Sequence, residues 1–322
     1  MSLLAVIDVG SNTIRLLIGE IEDHKITDVY SDRKITRLGN KVDQTGRLQD
    51  ENMRASLAVL REFSSLLAGY RVERVRAVAT SALREASNSD SFVKEVLDNT
   101  GIPIEVIPGE KEAELTLKGV LLSLPDSVPG GPGSSFIVDI GGGSTEWILH
   151  GDNLLDMGSI PVGVIKLTRK FIKTDPLSRA DIAHLDREII SLLNGLETRV
   201  GQHINGHTHF IGTAGTFTTI ASVDLGLDAY SREKIHLHRI SLENLRAMSE
   251  NLLSLTLEER KKVRGLEPER ADLIIPGLQF TIKIMDFFRF NELTISDYGL
   301  LEGLLSETKE TIGKGISEAG KS

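Results

Sequence analysis

Cysteine is absent from all 322 residues, so disulfides, thiolate catalysis and cysteine-ligated metal centres are excluded. That absence fits a reducing compartment, and a cytoplasmic location is expected. No stretch reaches the apolar length of a membrane span, and the N-terminus runs into a strand carrying Asp8 without a basic segment and cleavage site. Neither membrane association nor a secretory leader is therefore expected. Positive charge is in deficit: 37 Lys and Arg against 46 Asp and Glu leave a net charge of −9. General nucleic-acid binding draws on cations that neutralise phosphates, so no nucleic-acid partner is expected. Two motifs are also missing. No Gly-rich loop ends in the Lys-Ser/Thr pair of a Walker-type nucleotide site, and no helical His pair with a nearby Glu suggests a hydrolytic zinc centre. His203, His207 and His209 cluster, and His236 and His238 alternate on an expected strand; they read as loop and strand-face residues.

What is present is organised as a duplication. Asp8-Val9-Gly10-Ser11-Asn12-Thr13 and Asp139-Ile140-Gly141-Gly142-Gly143-Ser144-Thr145-Glu146 each follow a β-branched run with a carboxylate, small residues and a hydroxyl. Each leads into a second strand, so both read as β-hairpin turns. Gly lets the backbone approach a ligand, exposed N–H groups and hydroxyls suit phosphate oxygens, and the Asp suits a hydrated divalent cation. The length suits two domains. Between the loops, three strands precede alternating helices and strands: a helix capped by Asp50 with Leu57, Leu60, Phe63 and Leu67 on its apolar face, a strand over 72–79, a helix from Ser89 and a strand over 104–107. The same order restarts near Phe136. This is the ribonuclease H-like pattern, and the expected fold is α/β with two such actin-like domains and a cleft between them. The Pro- and Gly-rich run from Pro125 to Gly133 marks the boundary, giving domains over 1–124 and 125–298. The helix over 299–322 is expected to pack back on the first. Basic clusters at Arg33, Lys34 and Arg37 and at Arg71, Arg74 and Arg76 read either as solvated faces or as sites for a polyanion.

The chain resembles the exopolyphosphatase and guanosine pentaphosphate phosphohydrolase (Ppx/GppA) family, within the actin, Hsp70 and sugar-kinase superfamily. The resemblance rests on both Asp-x-Gly loops, Ala79 to Arg84, Gly109 to Leu115, Gly212 to Thr216, Glu269-Arg270 with Ile275-Pro276-Gly277, and Ser296 to Gly299. It implies removal of terminal orthophosphate from polyphosphate, guanosine pentaphosphate or both. It implies that Glu112, immediately before Ala113 at a helix start, activates water, and that Arg84 holds the reacting phosphate. Read from the segments alone, Glu112 is more simply a favourable first-turn acid and Arg84 a surface ion-pair partner. Lys111 stands where many members have another Glu. Asp139 and Glu146 are the expected ligands of Mg2+ or Mn2+, with Asp8 a third. Gly10, Ser11, Asn12 and Thr13 form one phosphate wall, and Gly141, Gly142, Gly143, Ser144 and Thr145 the other. Gly212, Thr213, Gly215 and Thr216 open a helix and suit either an anion or tight packing. Arg270 aligns with a second family arginine, or pairs with Asp272 or Glu267. Longer members carry a further helical region, so this is a short form, and a homodimer is expected. A kinase of the same superfamily and a nucleotide sensor or filament former are the alternatives.

Overall fold

Alternation of apolar residues places Leu4 and Val6 on one face of the first strand and Ala5, Ile7 and Val9 on the other, and both faces are buried. The structure, a computed structural model, describes residues 3–22, 25–124, 134–151 and 154–319, with side chains described up to residue 311. The Pro- and Gly-rich run at 125–133 and residues Asp23 and His24 lie outside the described residues. The chain divides into two units, Met1–Leu122 with Tyr298–Ser322, and Ser123–Asp297.

The first unit runs β1 (Leu3–Val9), β2 (Thr13–Glu22), β3 (Lys25–Ile35), α1 (Val42–Thr45), α2 (Asp50–Leu67), β4 (Val72–Ala79), α3 (Ser81–Glu85), α4 (Ser89–Thr100), β5 (Ile104–Val106) and α5 (Gly109–Leu121). Its sheet has the order β3-β2-β1-β4-β5. The first three strands pair antiparallel, and β4 and β5 add in parallel. On one face Ala5, Ile7 and Val9 meet Leu57, Leu60 and Phe63 of α2 and Phe92 and Val96 of α4. On the other, Leu4, Val6, Leu17 and Val78 meet Leu115 of α5 and Leu300, Leu301, Leu304 and Leu305 of the C-terminal helix (Leu300–Ala319). Each fully buried aliphatic side chain contributes about 1.5–3 kcal/mol, so the C-terminal helix is part of this core.

That helix lies against α5 at backbone contact distance. A Cβ on Gly119 would fall 1.8 Å from the carbonyl oxygen of Gly299, and one on Gly303 would fall 1.8 Å from that of Leu115. Only glycine fits at these two crossing points.

The second unit repeats the plan. It runs β6 (Ser135–Ile140), β7 (Thr145–His150), β8 (Leu154–Ile160), α6 (Val164–Phe171), α7 (Arg179–Val200), β9 (His209–Thr213), α8 (Ala214–Asp224), α9 (Arg232–Ile235), β10 (Arg239–Ser241), α10 (Leu242–Ser254), α11 (Leu257–Arg260), a 3-10 turn (Pro268–Arg270), α12 (Ile274–Phe288) and β11 (Glu292–Ser296). The sheet order is β10-β11-β9-β6-β7-β8, so β8-β7-β6-β9-β11 corresponds to the five strands of the first sheet and β10 is an added edge. Phe136, Phe210 and Phe290 stack at the heart of this core. Ser178 and Asp181 form a reciprocal capping box that starts α7.

Two local expectations are corrected. The residue capping α2 is Gln49, and Asp50 is the first helical residue. It keeps its favourable place at the positive end of the helix dipole. His236 and His238 do not lie on a strand: they flank Leu237, whose φ is +63°, between α9 and β10. Arg84 sits within the short helix α3, which follows β4.

Candidate active site

The two Asp-x-Gly loops fold identically in their hydrogen bonding. Gly10 N–H donates to the Thr13 carbonyl and Gly141 N–H to the Ser144 carbonyl, each over 3.0 Å. Asp8 faces Arg15 across β1 and β2, and Asp139 faces Glu146 across β6 and β7. A later segment braces each loop through its carbonyls. Thr36 and Arg37 N–H groups donate to Asn12 and Gly39 N–H to Ser11, while Val164 and Ile165 at the start of α6 donate to Gly141 and Gly142. Gly39 and Gly163 press directly on Ser11 and on the Gly141–Gly142 peptide. The loops are thus held from behind, without use of the Ser11 or Ser144 hydroxyls in these contacts.

The chemistry of the two hairpins diverges at one cross-strand position. Arg15 donates from Nε (3.0 Å) and an Nη (2.7 Å) to the same Asp8 oxygen, Oδ2, and Asp8 is buried. Its other oxygen, Oδ1, is buried and has no hydrogen-bond partner. In the second hairpin the position of Arg15 is taken by Glu146, which is 1% exposed and accepts a 2.6 Å hydrogen bond from Ser159 Oγ. Asp139 beside it is also buried. Two buried carboxylates on facing strands form an all-oxygen donor pair, and like charges in that register are relieved by a hard cation between them. The donor set therefore fits Mg2+ or Mn2+. Arg15 was not singled out in the sequence, where it reads as an ordinary polar strand residue. Its signal is its place seven residues after Asp8, matching Glu146 after Asp139.

Glu112 and Arg84 meet within the first unit. The strand β5 ends at Val106, Ile107 and Pro108 follow, and α5 starts at Gly109 with Glu112 closing its first turn. Glu112 is 7% exposed. Arg84 donates an Nη hydrogen bond to Glu112 Oε2 at 2.7 Å, and the same nitrogen reaches the Ile107 carbonyl at 2.9 Å. A half-buried, charge-assisted pair of this kind fixes both side chains more firmly than an exposed one would.

In the second unit, Gly212 to Thr216 turns from β9 into α8. A Cβ on Gly212 would meet the Phe217 ring at 2.2 Å, so that glycine serves packing. A Cβ on Gly215 would meet an Arg270 Nη at 2.6 Å: the guanidinium of Arg270 lies on the backbone of this turn. Arg270 Nε donates to Glu267 Oε2 at 2.9 Å, and Arg270 is 9% exposed. Ala214 between them has φ +65°, a left-handed conformation that costs a non-glycine residue roughly 1–2 kcal/mol. Two hydroxyls expected to face phosphate donate to backbone instead, Thr216 to the Ile140 carbonyl (2.6 Å) and Thr145 to the Val162 carbonyl (2.7 Å). What they can still offer is an oxygen lone pair, which a phosphate oxygen repels.

Among the histidines, burial pushes His209 and His236 below the ordinary imidazole range. His236 Nδ1 accepts from the Asp297 N–H, and His238 Nε2 pairs with Asp224 at 2.7 Å. Both rings serve the local structure of the second unit.

The repeated sheet order and the matched Asp-bearing hairpins define an α/β protein of the actin-like class, built from two units of one plan. The chain belongs to the Ppx/GppA phosphatase family, whose sequence pattern matches residues 17–311. It is 31% identical over 315 residues to Exopolyphosphatase 2 of Mycobacterium tuberculosis, with 94% of this chain and 97% of that protein covered. It is 32% identical over 320 residues to a bifunctional 3-dehydroquinate synthase/phosphatase of Fusobacterium nucleatum, covering 96% of this chain and 47% of that protein. Among solved structures, an exopolyphosphatase from Cytophaga hutchinsonii superposes with a TM-score of 0.87 at 28% identity, over 96% of this chain and 98% of that one. The Ppx/GppA family member of Aquifex aeolicus gives 0.79 at 32% identity, over 96% and 98%.

Proposed function

We propose that this protein is an exopolyphosphatase: it releases terminal orthophosphate from inorganic polyphosphate by attack of water on the terminal phosphorus. The observation that carries the reading is the pairing of Arg84 with the buried Glu112 at the start of α5, in a chain of this family. Water attack needs a base beside a phosphate-binding cation, and the pair supplies both. A terminal phosphate arriving at Arg84 competes with Glu112 for the guanidinium. Its engagement frees the carboxylate to accept the proton of the attacking water as the new P–O bond forms and the bond to the leaving phosphate breaks. Arg84 then faces charge that grows in the transition state.

The remaining roles follow from the donor chemistry. Asp139 and Glu146 would hold Mg2+ or Mn2+, which when bound offsets charge on phosphate oxygens. Asp8, already engaged by Arg15 within the first unit, keeps only Oδ1 as a further acceptor there. Arg15, Ser11, Asn12 and Ser144 suit phosphate oxygens, and Arg270 over Gly215 brings a second guanidinium to the phosphate-type turn of its own unit. A cytoplasmic homodimer remains part of this proposal.

Guanosine pentaphosphate carries the same terminal phosphoanhydride, and the family name covers both activities. Initial rates of phosphate release from long polyphosphate, short polyphosphate and guanosine pentaphosphate, each with and without Mg2+, separate them. Release from polyphosphate is expected. ATP-dependent phosphorylation of an acceptor with no release from any of the three would replace this reading with a kinase.

A further inference from the structure

The geometry points to Glu307, on the C-terminal helix, as a positioning residue for the base Glu112, acting through Lys111; this rests on the assignment of Glu112 as base. Glu307 Oε2 accepts from Lys111 Nζ at 2.5 Å, and its Oε1 accepts from an Arg76 Nη of β4 at 2.6 Å. Lys111 immediately precedes Glu112 in the first turn of α5, and also reaches Glu114 at 3.1 Å. The carboxylate at 307 therefore ties the turn that carries the base to strand β4 of the central sheet, from a helix 196 residues further along the chain than Lys111.

Three features make this more than a surface ion pair. The Glu307 side chain is only 17% exposed, and those of Arg76 and Lys111 are 21% and 26% exposed. Burial alone would push the Glu307 carboxyl up, but hydrogen bonds from Lys111 and Arg76, with their charge, outweigh it and hold the group below its ordinary range. The helices that the bridge joins are in backbone contact at Gly119 and Gly303, so α5 has little freedom to slide once Lys111 is held. Lys111 thus has a defined partner on another helix. It is the handle by which the C-terminal helix fixes the rotation of α5 about its axis, and with it the direction in which Glu112 points toward Arg84.

The test compares Glu307→Gln, Glu307→Asp, Lys111→Met, the double variant Lys111→Met/Glu307→Gln, and Glu112→Gln in the full chain. Phosphate release from polyphosphate is measured at 25 °C beside thermal unfolding. Displacement of a catalytic group by a fraction of an ångström lowers turnover, so E307Q and K111M are each expected to lower kcat about tenfold at unchanged KM. E307D restores most of the loss. The double variant falls little further than either single one, because both remove the same tether. A purely structural bridge lowers the unfolding temperature and leaves kcat of the folded enzyme unchanged, and that result overturns the inference, as does a multiplicative loss in the double variant. Should E307Q fail to fold, K111M decides alone: wild-type kcat refutes, a tenfold fall at constant KM supports. An active E112Q removes the base assignment itself, whereas an inactive E112Q with unaffected E307Q and K111M removes only the role of Glu307.

Discussion

Gly303→Ala is the sharpest test of how the C-terminal helix sits on α5, because the ordinary effect of the substitution has the opposite sign. Replacing Gly by Ala inside a helix normally stabilises by about 1 kcal/mol. At 303 the new methyl would lie 1.8 Å from the Leu115 carbonyl oxygen, whereas ordinary contact begins near 3.4 Å. Both partners are helix backbone, so no rotamer change relieves the clash. The helices must separate by more than an ångström, loosening Leu300, Leu301, Leu304 and Leu305 from Leu4, Val6 and Leu115. Overpacking of this kind costs about 1–3 kcal/mol, and backbone against backbone belongs at the upper end. After subtracting the gain in helix propensity, a net loss of about 2 kcal/mol is expected. For a folding unit of about 150 residues that is a fall of roughly 4–8 °C in Tm. Gly195 is the internal control: it lies on an exposed face of α7, and a Cβ there meets nothing within 4 Å. Gly195→Ala should raise stability by up to about 1 kcal/mol. Calorimetric unfolding of both variants against the parent protein reads the two signs directly. A G303A protein as stable as the parent, or more so, would refute the close crossing and with it the path from the C-terminal helix to the base.

Three other outcomes are expected. Glu112→Gln should lower kcat for phosphate release by about 10²- to 10⁴-fold with KM changed by less than a few-fold, read from initial rates; a fall confined to KM would make Glu112 a binding group. Glu146→Gln should weaken Mg2+ binding at least about tenfold by titration calorimetry, while Glu197→Gln on α7 leaves it unchanged; equal affinity in the two variants would place the cation elsewhere. Acid should unfold the protein partly through Glu307 and Asp181. Burial opposes ionisation of Glu307 but its two cationic partners prevail, and the hydroxyl of Thr174 leads the set that holds Asp181 down. Both folded carboxyls lie below their ordinary values of 4.5 and 3.8, so the native state binds fewer protons than the unfolded chain. The stability they contribute is present above those values and is lost as pH falls through the depressed ones. Tm followed from pH 6 down to 3 should therefore fall less steeply in E307Q than in the parent, and parallel curves would contradict this.

The parts of this architecture that sequence made legible are those with a period or a punctuating residue. The hairpins at Gly10 and Gly141 stand out because β-branched alternation on both sides leaves no other use for the glycines. Helices α2, α6 and α7 and the strand β4 follow from apolar spacing. Short elements escape that reasoning: α1, α3 and β10 are three to five residues long and carry less than two periods of any pattern. The short helix α3 matters most, since it sets where Arg84 starts its reach toward Glu112. Long-range ion pairs are equally invisible. Nothing near Lys111 announces Glu307, and Arg15 is conspicuous only once the two hairpins are laid over one another. Of the two readings open for Gly212 and Gly215, tight packing is the one their surroundings match, against a phenyl ring and a guanidinium, and Gly119 and Gly303, which no sequence pattern marks, serve close approach of helix backbones.

The duplicated hairpin explains how one backbone plan can provide two different electrostatic environments. Gly10 and Gly141 close the turns with the same hydrogen bond, and both loops are braced through their carbonyls, so backbone geometry does not distinguish them. The side chain facing the Asp does. With Arg15 opposite, Asp8 is already paired, and the hairpin as a whole is close to neutral while a guanidinium sits at its edge. With Glu146 opposite, Asp139 belongs to a pair of carboxylates whose repulsion favours a cation. A phosphate group brought to the first hairpin meets a donor, and one brought to the second meets a place for the counter-ion that phosphate chemistry uses. Strand register keeps these assignments in place: a slip of one residue in either hairpin would turn the facing residue to the opposite side of the sheet, into the hydrophobic core. The same hydrogen bonds that close the turns therefore also determine which charge each Asp meets.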